Sequence, residues 1–210
     1  MKPYLKVKIC GLTRLEDALA ALDAGADYLG FILYAGSPRY IDPDRLRRLT
    51  AQLPERCRKV GVFVNADAAF IRQTMTACRL DIAQLHGEET AAWAAELEPT
   101  RTWKAFHLRT PADLARATDF PAAMLVIDSS TPQARGGTGI RCDWQLAAAA
   151  ARQRPIMLAG GIDPDNAVAA ARAVNPCGLD LAGGVEAVPG IKDHNRIQEL
   201  FYRLQQAELR

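Results

Sequence analysis

Asp128 directly follows four apolar residues, Met124 to Ile127. A carboxyl at the rim of an apolar run loses water, and desolvation raises its pKa from a reference near ~3.9. A general acid working near neutral pH needs that shift, although an aspartate so placed serves equally as a helix cap or loop anchor. Cys10 closes another such run, Leu5 to Ile9. A thiol, with a reference pKa of ~8.5, becomes a general base where positive charge depresses that value. Lys8 stands two residues back, on the same face of a regular strand. The competing reading makes Cys10 a small core residue and sends the Lys8 ammonium to a distant layer.

Two glycine pairs, Gly160-Gly161 and Gly183-Gly184, each follow an apolar run. Glycine lets the backbone approach an anion closely and adopt positive φ, so the pairs suit either phosphate or a tight turn. Neither fits a Walker loop or the dinucleotide fingerprint. Arg39, in Ser37-Pro38-Arg39, has the planar fork for a carboxylate or phosphate, or is a surface arginine. Arg135-Gly136-Gly137-Thr138-Gly139 reads as a loop closing over a ligand or as a plain connection. His86, in Gln84-Leu85-His86-Gly87, faces a substrate or is satisfied by its own loop. No His, Asp or Glu partner stands at ligand spacing along the chain, so no metal is expected.

All these residues sit where one kind of element ends. Eight short runs read as strands: Leu5 to Ile9, Tyr28 to Leu33, Val60 to Val64, Ile82 to Leu85, Thr102 to Phe106, Met124 to Ile127, Ile156 to Ala159 and Leu179 to Ala182. Between them lie helical patterns, such as Leu15, Ala18, Leu19, Leu22 and Ile197, Leu200, Phe201, Leu204 at i, i+3, i+4, i+7. Asp42-Pro43 and Asp163-Pro164 read as a cap followed by proline in the first helical position. Repeating βα units imply a parallel sheet, and near-continuous apolar strands imply cover on both sides. Eight units predict a compact, single-domain (β/α)8 TIM barrel over residues 1–210, with chemistry at the C-terminal strand ends. A doubly wound open sheet uses the same units and is the alternative fold.

The chain has 210 residues, 49% hydrophobic and 24% charged, the balance of a globular domain long enough to bury a full core. Lys and Arg number 26 against 24 Asp and Glu, a net charge of +2, which leaves no footprint for nucleic acid or a membrane surface. No apolar run approaches the ~20 residues of a membrane span. Five scattered cysteines without CxxC spacing argue against a zinc site, a redox pair or a secreted disulfide scaffold. The opening MKPYLKVKICG lacks the apolar stretch of a signal peptide. A cytoplasmic location follows as the expectation.

Taken in order, eight runs resemble the phosphoribosylanthranilate isomerase family of tryptophan biosynthesis. They are KICGLT (Lys8 to Thr13), SPRYI (Ser37 to Ile41), GVFVN (Gly61 to Asn65), QLHG (Gln84 to Gly87), IDS (Ile127 to Ser129), GGTG (Gly136 to Gly139), LAGGI (Leu158 to Ile162) and GVEAVPGIKD (Gly184 to Asp193). The resemblance implies an Amadori rearrangement of N-(5-phosphoribosyl)anthranilate to 1-(2-carboxyphenylamino)-1-deoxyribulose 5-phosphate. It implies Cys10 as general base, Asp128 as general acid, and Arg39 on the anthranilate carboxylate. His86 would face the substrate, and Gly160, Gly161, Gly183 and Gly184 would surround the phosphate. No metal or organic cofactor is implied, because the substrate nitrogen relays the electrons. The phosphorylated small molecule would be the partner of a monomer or homodimer. Two positions depart from the family: Ala182-Gly183-Gly184 stands where Ser-Ser-Gly is usual, and Cys142 where phenylalanine is commoner. Weaker phosphate binding is the largest effect expected of the first. Other phosphate-binding barrels fit less well: indole-glycerol-phosphate synthase uses an N-terminal extension and more catalytic lysines and glutamates, and ribulose-phosphate epimerase uses metal ligands. A barrel that binds a sugar phosphate without turnover has no need of both Cys10 and Asp128.

Overall fold

A computed structural model describes residues 4–128 and 144–210. Ser129, the glycine-rich segment 135–139 and Cys142 lie outside the described residues. Eight strands, β1 (Lys6–Ile9), β2 (Tyr28–Ile32), β3 (Arg58–Phe63), β4 (Ile82–Leu85), β5 (Thr102–Phe106), β6 (Met124–Asp128), β7 (Ile156–Ala159) and β8 (Gly178–Leu181), alternate with helices. The helices are α1 (Leu15–Ala24), α2 (Pro43–Thr50), α3 (Ala68–Ala77), α4 (Ala91–Ala94), α5 (Pro111–Thr118), α6 (Trp144–Ala151), α7 (Ala167–Val174) and α8 (His194–Gln206). Every neighbouring pair of strands is parallel, and β1 pairs with β8, aligning Lys8 with Asp180. That pairing closes the barrel and removes the open sheet as an alternative.

The period of two along each strand divides the core into two layers. Tyr28, Val60, Ile82, Trp103, Ala105, Val126, Met157 and Ala159 pack against one another inside the barrel. The alternate residues, among them Val7, Ile9, Leu29, Phe31, Leu85, Leu125, Ile127, Leu158, Leu179 and Leu181, face the helices. Counting on by two from the interior set reaches Gln84 on β4, His86 just after it, His107 after β5 and Asp128 on β6. Alternation therefore delivers the polar rim to the mouth of the barrel.

Local signals explain the joints, with two corrections. Asp42 caps α2, accepting from the Arg45 N–H at 3.0 Å with Pro43 in the first turn. Asp163 instead opens a turn, accepting from the N–H groups of Asp165 (2.9 Å) and Asn166 (3.0 Å), and α7 starts only at Ala167. Asn166 donates to the Gly161 carbonyl at 2.8 Å, which ties this turn to the strand end before it. In α8 the expected apolar stripe is buried. In α1, Leu19 is 37% exposed and Ala18 and Ala21 take the inner face with Asp17. An antiparallel hairpin, β9 (Glu186–Val188) and β10 (Ile191–Lys192), was not expected and sits beyond β8.

Asp17 joins α1 to the segment after β8. Its carboxylate accepts from Arg14 (3.0 and 2.7 Å), His194 Nε2 (2.8 Å) and the Lys192 N–H (3.1 Å). Burial alone would push this carboxyl up, but those hydrogen bonds outweigh burial and hold it below the ordinary range. A depressed folded-state pKa contributes stability above the unfolded value of ~3.9 that is lost as pH falls through the folded value. Unfolding free energies measured by denaturant at pH 7 and pH 3 are expected to drop less in Asp17→Asn than in the wild type. An equal acid loss in both would remove Asp17 from that slope.

Candidate active site

Cys10 directly follows β1, and its N–H donates to the Leu181 carbonyl of β8 at 2.7 Å. The thiol is buried beside Gly30 of β2, where an added Cβ would come within 2.7 Å of Cys10 Sγ and 2.9 Å of Lys8 Cε. Gly30 thus leaves room for both side chains, a role visible only once β1 and β2 are paired. Lys8 is fully buried and its Nζ lies 2.7 Å from Asp180 Oδ2. Lys8 does reach Cys10, so the distant-layer alternative falls. Burial still wins: it pushes the Cys10 thiol up, against the opposing pull of the Lys8 ammonium. The depressed thiol pKa expected from Lys8 alone is therefore corrected to a raised one.

The Lys8–Asp180 pair is buried and partly unsatisfied, since Asp180 Oδ1 has no hydrogen-bond partner among the described residues. Removing one member of such a pair strands a charge in low dielectric. Lys8→Met is expected to cost about 3–5 kcal/mol of folding stability, read from a denaturant midpoint. A change below ~1 kcal/mol would show that the pair is reached by water or relieved by Cys10.

Asp128 closes β6, and β7 and β8 separate it from β1 in the closed barrel. Cys10 and Asp128 therefore stand on different sides of the mouth. Between them lie the loops carrying the glycine pairs. Gly160 and Gly161 take φ of 85° and 65°, the left-handed region open to glycine. Gly183 and Gly184 form a 3₁₀ turn directly after β8. A Cβ on Gly184 would fall 1.9 Å from the Ile162 carbonyl oxygen, so only glycine fits there. At Gly183 the nearest atom to an added Cβ is Arg39 Nη2 at 3.3 Å, so Arg39 reaches the same corner.

Arg39 passes over Gly11, where a Cβ would meet Arg39 Cδ at 2.7 Å. Its Nε and Nη2 donate to the Glu186 carboxylate at 2.8 and 2.6 Å. Glu186 also accepts from Lys192 Nζ at 2.9 Å. Burial would raise the Glu186 carboxyl, but Arg39 and Lys192 together hold it down. Sequence reasoning missed Glu186 and Lys192 as supports of Arg39. Both lie in the quoted run GVEAVPGIKD, but only the β9–β10 hairpin turns them back toward Arg39.

His86 projects from the end of β4, with Nε2 3.7 Å from Asp128 Oδ2. Gln84 Nε2 contacts His86 Nδ1 at 3.2 Å. His107, absent from the sequence-based candidates, donates from Nδ1 to the Asp128 backbone carbonyl at 3.1 Å. The fold thus gathers His86, His107 and Asp128 from three neighbouring strand ends, although no spacing along the chain announces them.

A model of the N-(5'phosphoribosyl)anthranilate (PRA) isomerase family matches residues 7–203. The chain is 46% identical over 196 residues to an N-(5'-phosphoribosyl)anthranilate isomerase of Citrifermentans bemidjiense, covering 93% of this chain and 95% of that protein. A relative of that name from Magnetococcus marinus is 42% identical over 97% of both chains. Among solved structures, phosphoribosyl anthranilate isomerase of Thermotoga maritima superposes with a TM-score of 0.87 at 37% identity, over 96% of this chain and 99% of that one. Another such enzyme, in complex with reduced 1-(o-carboxyphenylamino)-1-deoxyribulose 5-phosphate, gives a TM-score of 0.84 at 34% identity, over 96% and 99%.

Proposed function

The chain belongs to the N-(5'-phosphoribosyl)anthranilate isomerase family, and from that premise we propose that Cys10 and Asp128 are its base and acid. The protein is an intramolecular aldose–ketose isomerase of tryptophan biosynthesis, converting N-(5-phosphoribosyl)anthranilate to 1-(2-carboxyphenylamino)-1-deoxyribulose 5-phosphate. Asp128 gives a proton to the furanose ring oxygen as the ring opens, and the anthranilate nitrogen lone pair forms the C1–N double bond. The Cys10 thiolate takes the C2 proton, and the electrons of that C–H bond neutralise the iminium nitrogen to give an enolamine. Tautomerisation of the enolamine yields the ketose. No electrons leave the molecule, so the substrate and product are isomers.

The observation supporting this assignment is the placement of the two groups, on separate sides of the mouth with the two glycine loops between them. Backbone N–H groups of Gly160, Gly161, Gly183 and Gly184 hold the phosphate in this reading. Arg39, oriented by Glu186 and Lys192, takes the anthranilate carboxylate. His86 lines the substrate side beside Asp128. Phosphate and carboxylate lie far from the reacting carbons, so their binding energy positions the sugar.

Turnover is tested with substrate generated in place from anthranilate and phosphoribosyl pyrophosphate by a purified transferase, followed by loss of substrate fluorescence. Enzyme-like turnover is expected, whereas binding without turnover would contradict the assignment. Gly183 allows a second test, since an added Cβ there needs only a few tenths of an ångström of movement from the Arg39 guanidinium end, 3.3 Å away. Gly183→Ser restores a hydroxyl where the family usually has one, and one added hydrogen bond of about 1 kcal/mol is expected to lower KM roughly fivefold with kcat unchanged. An unchanged or raised KM would mean that the backbone donors already satisfy the phosphate.

Residues 1–210 are read as one barrel domain. No helix among the described residues is long and apolar enough to cross a membrane, in keeping with a cytoplasmic role. A monomer and a homodimer, distinguishable by light scattering, both fit this reading. A solved structure of generated monomers comes from the dimeric phosphoribosylanthranilate isomerase of Thermotoga maritima.

A further inference from the structure

We propose that His86, His107 and Asp128 form a site for a borderline divalent transition ion, of the Zn²⁺ or Co²⁺ class, and that the ion inhibits the isomerase by occupying the Asp128 carboxylate. One ligand atom of each residue lies within 4.8 Å of those of the other two. His86 Nε2 and Asp128 Oδ2 are already 3.7 Å apart. Metal–ligand bonds of ~2.0–2.1 Å in a tetrahedron place ligand atoms a little over ~3 Å apart, so side-chain adjustments of about 1 Å complete the set. Two imidazoles and one carboxylate with an open position match this ion class rather than Mg²⁺ or Ca²⁺, which prefer oxygen ligands.

The hydrogen bonds around the two rings suit that role. His107 Nδ1–H donates to the Asp128 carbonyl at 3.1 Å, which leaves the lone pair of the neutral ring on Nε2. A ligating histidine characteristically holds its other ring N–H on a carbonyl or carboxylate in this way. For His86 the corresponding partner is Gln84. The Gln84 side chain is 1% exposed, and its Oε1 has no hydrogen-bond partner among the described residues. With Gln84 Nε2 donating to His86 Nδ1, the ring proton sits on Nε2, facing Asp128. Rotating the Gln84 amide by half a turn brings Oε1 onto Nδ1–H and exposes the Nε2 lone pair to an ion. Gln84 thereby selects between a histidine that donates toward Asp128 and one that ligates. The ligands rest on the adjacent strands β4, β5 and β6, and the register that aligns Phe106 with Ile127 sets His107 level with Asp128. Such rigid supports hold a ligand set with little loss of entropy on binding.

The inhibitory part rests on Asp128 being the general acid, because a carboxylate bound to a cation has no proton to give. The test titrates the wild type, His107→Ala and Cys10→Ser with Co²⁺, following visible d–d absorption and calorimetric stoichiometry, and measures isomerase turnover over the same Co²⁺ range. The wild type is expected to bind one ion with two nitrogen ligands and to lose turnover with a half-point equal to the Kd. Measured against its own metal-free turnover, His107→Ala is expected to lose both affinity and inhibition by at least about 100-fold, more than the 10–100-fold typical of removing an outer-shell partner. Cys10→Ser is expected to bind the ion as the wild type does. Absence of 1:1 binding, equal binding by His107→Ala, or loss of binding in Cys10→Ser would each overturn the site. Binding that needs His107 but leaves turnover intact would uphold the site and overturn the acid role of Asp128.

Discussion

Asp128→Asn is expected to lower kcat by about 10²–10⁴-fold, the usual contribution of a positioned proton donor, while the affinity for a product analogue stays within a few-fold. Asparagine keeps the size and part of the hydrogen bonding of the carboxyl but cannot deliver a proton to the departing ring oxygen. The substitution should leave the fold intact. Asp128 ends a strand at the rim with its side chain 19% exposed, against 0% and 7% for the buried Lys8 and Asp180 side chains. A matching thermal midpoint would confirm that chemistry alone was lost. Turnover within tenfold of the wild type would remove Asp128 from the acid role.

The second large effect falls on Cys10. Cys10→Ala and Cys10→Ser are each expected to lose about 10²–10⁴-fold in kcat, serine because its hydroxyl is far too weak an acid to supply an anion. The buried thiol adds a signature that a merely structural cysteine lacks. Burial raises its pKa above the ordinary value even though Lys8 opposes the shift, so at neutral pH the thiol is the main form of the free protein. In the proposed reaction the base is the thiolate. The kcat/KM is therefore expected to keep rising as pH passes the ordinary thiol value of about 8.5. A profile already flat between pH 6 and 9 would place the base elsewhere or put its pKa well below the ordinary range.

The βα architecture was legible because it is written in local periodicity. Eight apolar runs with intervening helical patterns are enough for a parallel sheet, and three of the strands, β4, β5 and β7, coincide with the expected runs at both ends. Strand ends gave away Cys10, Asp128, His86 and the glycine pairs for the same reason, since the end of an apolar run is a local feature. Closure was less accessible, because the β1–β8 pairing joins residues 172 apart in sequence, such as Lys8 and Asp180. The β9–β10 hairpin had a signal in Pro189-Gly190, a turn-forming dipeptide, and Gly190 indeed takes φ of 84°. Its consequence, Glu186 and Lys192 braced against Arg39, depends on how that hairpin lies over the barrel mouth. The sign of the Cys10 shift was out of reach as well. It is a contest between burial and one ammonium, and sequence reveals the ammonium but not the depth.

His107 makes the same point at the site itself. It lies one residue past β5, where no apolar run or motif marks it, and only the register with β6 sets it beside Asp128. Likewise Gly30 reads as an unremarkable glycine inside a strand until pairing places it against Cys10 Sγ. Residues proposed to act on substrate were thus more visible than those that make room for them or hold them in place.

The most direct test of the acid–base pair is a crystal structure of this protein with reduced 1-(o-carboxyphenylamino)-1-deoxyribulose 5-phosphate bound. The expected arrangement puts Cys10 Sγ about 3–3.5 Å from C2 and an Asp128 carboxylate oxygen about 2.6–3.2 Å from the 4-hydroxyl, the former ring oxygen. The phosphate should lie on the Gly160-Gly161 and Gly183-Gly184 loops. A ligand seated on those loops with C2 or the 4-hydroxyl more than one water away from its assigned partner would contradict the account.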